Sequence, residues 1–189
     1  FTTVGDINVM DGGLGRIVGK TTHVLDDVTA SGALRSLDVA AIGGQEPAYF
    51  VPSTYNSFSN IRINADGSIL DSGDSFDLTA GAVHDVSVDT GWQPIKQITV
   101  DEWLDTDPFR AEQIRTLWIG GIETRTGAFQ PDLALLSLNA PVDSIGKVAV
   151  AGELSGYWDL SQGGMGDIKQ ITADSTATDW EVDAPGSEI

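Results

Sequence analysis

The pentapeptide IKQIT occurs twice in the chain, at Ile95 to Thr99 and again at Ile168 to Thr172. Each copy opens a hexapeptide with apolar residues at its first, fourth and sixth places: Ile95, Ile98 and Val100 in one, Ile168, Ile171 and Ala173 in the other. The same template fits Val4/Ile7/Val9, Leu25/Val28/Ala30, Leu34/Leu37/Val39, Phe58/Ile61/Ile63 and Val83/Val86/Val88, with looser copies opening at Ile114, Leu133 and Ile145. At 41% apolar residues, roughly three strict matches are expected by chance, against the seven found. From Val83 onward the copies begin 12 residues apart or 19 to 23 apart, the lengths of part of a solenoid coil and of a whole one.

Side chains alternate across a strand, so the fourth and sixth places share a face while the first lies at the opposite parity. A bend between them keeps all three inside. Coils stacked about 4.8 Å apart then pair every backbone group and line up Ile and Val in columns. The spacing predicts an all-β chain: a parallel β-solenoid of about six to eight coils, forming a single domain over residues 1–189. Asp66-Gly67, between two strand-like runs, predicts an inserted hairpin or loop. Asp107-Pro108 followed by Phe-Arg-Ala-Glu-Gln predicts an N-cap and first turn of a short helix. The rival architecture is an antiparallel β-sandwich, which explains the hairpin but not the duplicated hexapeptide.

The segment from Val148 to Ala173 contains Gly152-Glu153-Leu154, Ser155-Gly156-Tyr157-Trp158 and Gly166-Asp167-Ile168, with Trp180 one strand later. It resembles the Gly-rich β-helix repeats of very large bacterial secreted or cell-surface proteins. The resemblance implies a stacked, extracellular and mainly structural region. It covers the last 45 or so residues best; the N-terminal part differs in coil length and has no Trp before Trp92.

Charge narrows the partners. With 28 acidic residues against 10 basic, the net charge of -18 repels nucleic acid and anionic lipid, and attracts cations. Such a surface suits salty or calcium-bearing fluid, where screening relieves self-repulsion. Without cysteine there is no disulfide or thiolate metal site, and no apolar run is long enough to span a bilayer. A chain opening at Phe1 is expected to be a processed product or a segment of a longer protein.

Candidate sites follow from residue chemistry. Asp71, Asp74 and Asp77 surround Gly73 and could share a calcium ion, the one cofactor expected, although their spacing is not that of an EF-hand. Arg35, Lys96, Arg115 and Lys169 all occupy second places of hexapeptides; stacked in register they form a cationic stripe suited to carboxylated glycans or an acidic neighbour. Trp103 and Trp118 are candidate sugar-stacking platforms. Trp118, at a fifth place, should point outward, and Trp103 stands beside the carboxylates Asp105 and Asp107. The two histidines, His23 and His84, lie in no recognisable catalytic motif, and His84 falls at an outward, solvated place. Together these features favour an extracellular or cell-surface structural or adhesive scaffold that associates with itself or with neighbouring repeats. The alternatives are a β-helix carbohydrate-active enzyme cleaving through a carboxylate pair, and a non-catalytic glycan-binding module.

Overall fold

A computed structural model describes residues 2–10, 12–43, 59–63, 74–91, 93–104, 107–136, 143–161 and 167–184. Its strands come in successive pairs. β1 (Thr2–Val4) and β2 (Ile7–Val9) are followed by β3 (Leu14–Val24) and β4 (Val28–Ala30), then β5 (Leu34–Gly43) and β6 (Ser59–Arg62). β7 (Phe76–His84) and β8 (Val86–Asp89) precede β9 (Ile95–Leu104) and β10 (Pro108–Ala111). The series ends with β11 (Ile114–Ile119) and β12 (Asp132–Leu135), β13 (Ile145–Leu154) and β14 (Tyr157–Asp159), and β15 (Ile171–Thr176) and β16 (Glu181–Asp183). Odd strands form one eight-stranded sheet and even strands a second, each in chain order and each parallel throughout. This is the two-sheet stack of a parallel β-solenoid, and it rules out the antiparallel sandwich.

The hexapeptide sets the register of the odd-numbered sheet. Ile95, Ile114, Ile145 and Ile168 follow one another in a column of first places, with Phe76 beside Ile95. The fourth places run Ile17, Leu37, Leu78, Ile98, Leu117, Val148, Ile171 without a break. The two IKQIT copies therefore occupy the same columns, three strands apart. Within β9 the burial order is in, out, out, in, partly out, in over Ile95 to Val100. Two successive outward residues make the bend that the mixed parity requires, and the hydrogen-bond ladder continues through it.

The even-numbered sheet supplies the opposite wall. Ile7, Val28, Ile61, Val88, Phe109, Leu133, Trp158 and Val182 form its inward column. Here the register corrects the template. Ile61 pairs with Val88, whereas equating fourth places would match it with Val86. Leu133 is a residue of this sheet, so the 12-residue step from Leu133 to Ile145 runs from one sheet to the next coil's start in the other, whereas Val83 and Ile95 both belong to the odd-numbered sheet. The corner between sheets is short: Asp85 (φ 52°) and Gly156 (φ 90°) take the left-handed conformation that reverses the chain there.

Two further expectations are corrected. Pro108–Ala111 is strand β10 and no helix, because Phe109 and Ala111 alternate inward against Val88 and Leu133 and Leu135. Proline is tolerated at the first residue of a strand, and period-two burial outweighs the capping signal. Trp103 is fully buried rather than a surface platform. It stacks on Phe109 (centroids 5.3 Å) and Phe129 (5.8 Å), and the series continues edge-on through Trp158 to Trp180. Trp103, followed by Phe129, takes over the corner position held by Val24, Ile42 and Val83 in earlier coils, and Phe109 and Trp158 meet them from the other sheet. The hairpin expected at Asp66-Gly67 lies outside the described residues.

Polar groups in the core are used as ladder elements. Gln93, fully buried, donates from Nε2 to the Leu34 carbonyl (2.8 Å) and accepts from the Leu34 N–H (3.2 Å), so a side-chain amide replaces a strand's two bonds. The columns make a direct prediction. Ile98→Ala or Trp103→Ala should cost about 2–5 kcal/mol in chemical denaturation, while Trp118→Ala at the surface should stay within about 0.5 kcal/mol.

Candidate functional site

The register that builds the core also aligns the outward residues of the odd-numbered sheet. Second places form a column in which Lys96, Arg115, Gly146 and Lys169 stand one strand apart, beside the paired isoleucines. Arg35 occupies the same column two coils earlier. Between it and Lys96, β7 lacks a residue, so Asp77 covers both outward places. The expected stripe is therefore split into two chemically different halves.

In the first half every cation faces an acid. Arg35 Nη2 lies 3.4 Å from Asp74 Oδ1, and Lys96 Nζ lies 3.9 Å from Asp77 Oδ2. Two of the three carboxylates considered for calcium thus face basic side chains, and the third, Asp71, lies outside the described residues. Among the described residues no three His, Asp or Glu converge as a metal cage.

In the second half the cations cluster without an ion pair among the described residues. Arg115, Lys147 and Lys169 line a groove of about 370 Å³ together with Gly146, Gln113, Gln170 and Asp143. A Cβ at residue 146 would approach the Arg115 carbonyl oxygen to 2.5 Å, closer than real Cβ atoms come, so only glycine fits. Its missing side chain opens the column between Arg115 and Lys169. Lys147 was not singled out in the sequence because it occupies a third place. Aligning Ile145/Val148/Val150 with its neighbours would have set it beside Thr116, its partner in the ladder.

Trp118 is exposed, as its fifth place predicts, at 46% of its surface. Its ring lies against Gly120, where any side chain would collide with it. In the ladder Trp118 pairs with Ala149, two residues along β13 from Lys147, so indole and cations share one sheet face.

A second polar cluster, absent from the sequence reading, pins the segment after β11 back onto the sheet. Glu102 Oε2 accepts from the Thr126 N–H (2.8 Å) and hydroxyl (2.9 Å), Glu102 Oε1 lies 3.2 Å from His84 Nε2, and Arg125 pairs with Asp101. His84 is thus engaged by a carboxylate rather than simply solvated. Burial pushes the Glu102 carboxyl up, but the bonds from Thr126 and His84 and the His84 charge outweigh it and hold the group below its ordinary range. Glu102 lies between His84 and Thr126, accepting from the Thr126 hydroxyl through one oxygen and meeting His84 through the other. Asp105 lies outside the described residues. Asp107 sits near Asp85, and burial together with that neighbouring charge raises its carboxyl above the ordinary range.

No known protein family, curated protein or solved structure matches the chain. The functional reading therefore rests on the chain's own geometry.

The Glu102 clamp predicts a pH dependence with a definite sign. A carboxyl held below its ordinary value of 4.5 stabilises the fold above that pH and stops doing so as pH falls through the lowered value. Asp107, shifted upward, acts in the opposite sense. Glu102→Gln should flatten the acid limb of stability against pH, measured by urea melts between about pH 3 and about pH 6; an unchanged acid limb would remove Glu102 from that role.

Proposed function

We propose that the chain is a structural and adhesive segment of a β-solenoid scaffold acting outside the cell or at its surface, in the manner of the Gly-rich β-helix repeats it resembles. The observation that carries the reading is the pair of ladders running through every strand of both sheets. Almost all of the sequence pattern serves stacking, which is what a load-bearing or spacing element needs. Among the described residues, β1 and β2 at one end and β15 and β16 at the other have ladder neighbours on one side only. The apolar residues there are half-covered: Ile7, Val9 and Ile17 at the first end, Ile171, Trp180 and Val182 at the second. Open edges backed by half-covered apolar columns favour pairing with further coils, in the same chain or in a second copy.

Acidity fits this role. A surface with 28 acids and 10 bases holds divalent cations in its ion atmosphere, and these soften the repulsion between stacked copies.

Sedimentation over a range of concentrations, with calcium and with chelator, tests the reading. Self-association should grow with concentration, should be stronger with calcium, and should be suppressed by Ile171→Lys at the open edge. A chain that stays monomeric at millimolar concentration with both edges intact would contradict it.

A further inference from the structure

The basic character of the groove over Gly146 is not explained by stacking alone. All ten basic residues of the chain lie in the described segments. Arg16, Lys20, Arg35, Lys96 and Arg125 form ion pairs with carboxylates. Arg62 and Arg110 form no ion pair among the described residues, but each stands one strand from Asp89 in the even-numbered sheet. The three that remain, Arg115, Lys147 and Lys169, form no ion pair among the described residues and are the three that line the groove. Like charges on neighbouring strands repel, and acids are plentiful in this chain. Against Asp143 alone, the groove keeps an excess of two positive charges on a body of net charge -18.

We infer that this groove is a binding site for an anionic polysaccharide, with Arg115, Lys147 and Lys169 pairing with its carboxylates or sulfates and Trp118 stacking on an adjacent sugar ring. Several features select this ligand over other polyanions. Trp118 offers a flat, exposed apolar face on the same sheet surface as the cations, and a pyranose has a C–H face to lie on it. Gln113 and Gln170 in the groove lining supply amide donors and acceptors for hydroxyl groups. Duplex nucleic acid carries a charge about every 1.7 Å, and the acidic body around the groove repels so dense a polyanion. A glycan with sparse charges can instead set them over the groove and leave its neutral rings elsewhere. The site adds a ligand to the scaffold reading without depending on self-association.

Binding to immobilised polygalacturonate (carboxylated) and to dextran sulfate (sulfated) tests the inference, with neutral dextran, polyglutamate and duplex DNA alongside. At least one charged polysaccharide should bind, the two probes distinguishing carboxylate from sulfate, and affinity should fall as salt rises from about 50 mM to about 200 mM. Arg115→Gln/Lys147→Gln/Lys169→Gln should weaken it by at least about tenfold. Trp118→Ala should weaken it about threefold or more with the salt dependence unchanged, because stacking is not a charge effect. Lys20→Gln, at a cation already paired with Asp38, should leave affinity unchanged. Melting curves of each variant separate lost binding from lost folding, and the surface variants should melt like the parent. Equal retention by neutral dextran, equal affinity for polyglutamate or DNA, no binding to either charged polysaccharide, or full binding by the folded triple variant would overturn the inference.

Discussion

A parallel strand cannot satisfy its backbone alone: each N–H and C=O must meet a partner in the coil before or the coil after. That obligation holds neighbouring strands about 4.8 Å apart and in register, and the rest of the molecule follows from it. Residues at equivalent places are forced into contact, so the inward places must be apolar in coil after coil, as Leu78, Ile98, Leu117 and Val148 are. Length differences between coils have to be expelled to the corners. Nineteen residues separate Phe76 from Ile95 and 31 separate Ile114 from Ile145, yet both pairs are ladder neighbours. The extra residues after Ile119 fold back over the sheet, where Thr126 and Arg125 are tied to Glu102 and Asp101.

The same obligation governs the surface. An outward side chain also has a neighbour one strand away, so charge becomes a property of columns. Where acid and base alternate, as in Arg62, Asp89 and Arg110, each base has a carboxylate one strand away. Where bases follow one another the column is left with a field, and at Gly146 it also has an opening. Individual surface pairs add little stability, so the sequence is free to vary these places for recognition while the inward places stay constrained. Division of labour between faces of the same strand lets a chain devoted to stacking also accommodate the site proposed at Gly146.

Much of this architecture was legible in the sequence because the hexapeptide recurs on both sheets. Leu34, Ile95 and Ile168 open copies along the odd-numbered sheet, while Ile7, Val28, Ile61 and Val86 are fourth places on even-numbered strands. The even-numbered strands hold three or four residues and expose too little of their period, which let the template slip by two at Val83/Val86/Val88 and claim Leu133 for the wrong sheet. The Asp107-Pro108 helix signal failed for a related reason: local capping chemistry carries less free energy than burying Phe109 and Ala111 between strands. Trp118 was correctly assigned to the surface from parity, whereas Trp103 was misjudged from its acidic neighbours when its depth is set by the corner column. The groove was half visible. Arg115 and Lys169 follow from second places, but Lys147 and the role of Gly146 emerge only when neighbouring coils are superposed. The clamp on Glu102 depends on how the segment after Ile119 folds back, which no periodicity encodes.

Register is the quantity to measure. The chain has no cysteine, so spin labels can be introduced singly and in pairs on the outward column Thr79, Trp118, Ala149 and Thr172, whose members are linked strand by strand through Thr99. With one label at Thr79, backbone separations to the other three should rise in steps, about 10 Å, about 14 Å and about 19 Å, as each strand adds about 4.8 Å. Distances that fail to grow in that order, or that place Thr172 nearer to Thr79 than Trp118 is, would contradict parallel in-register stacking and everything inferred from it.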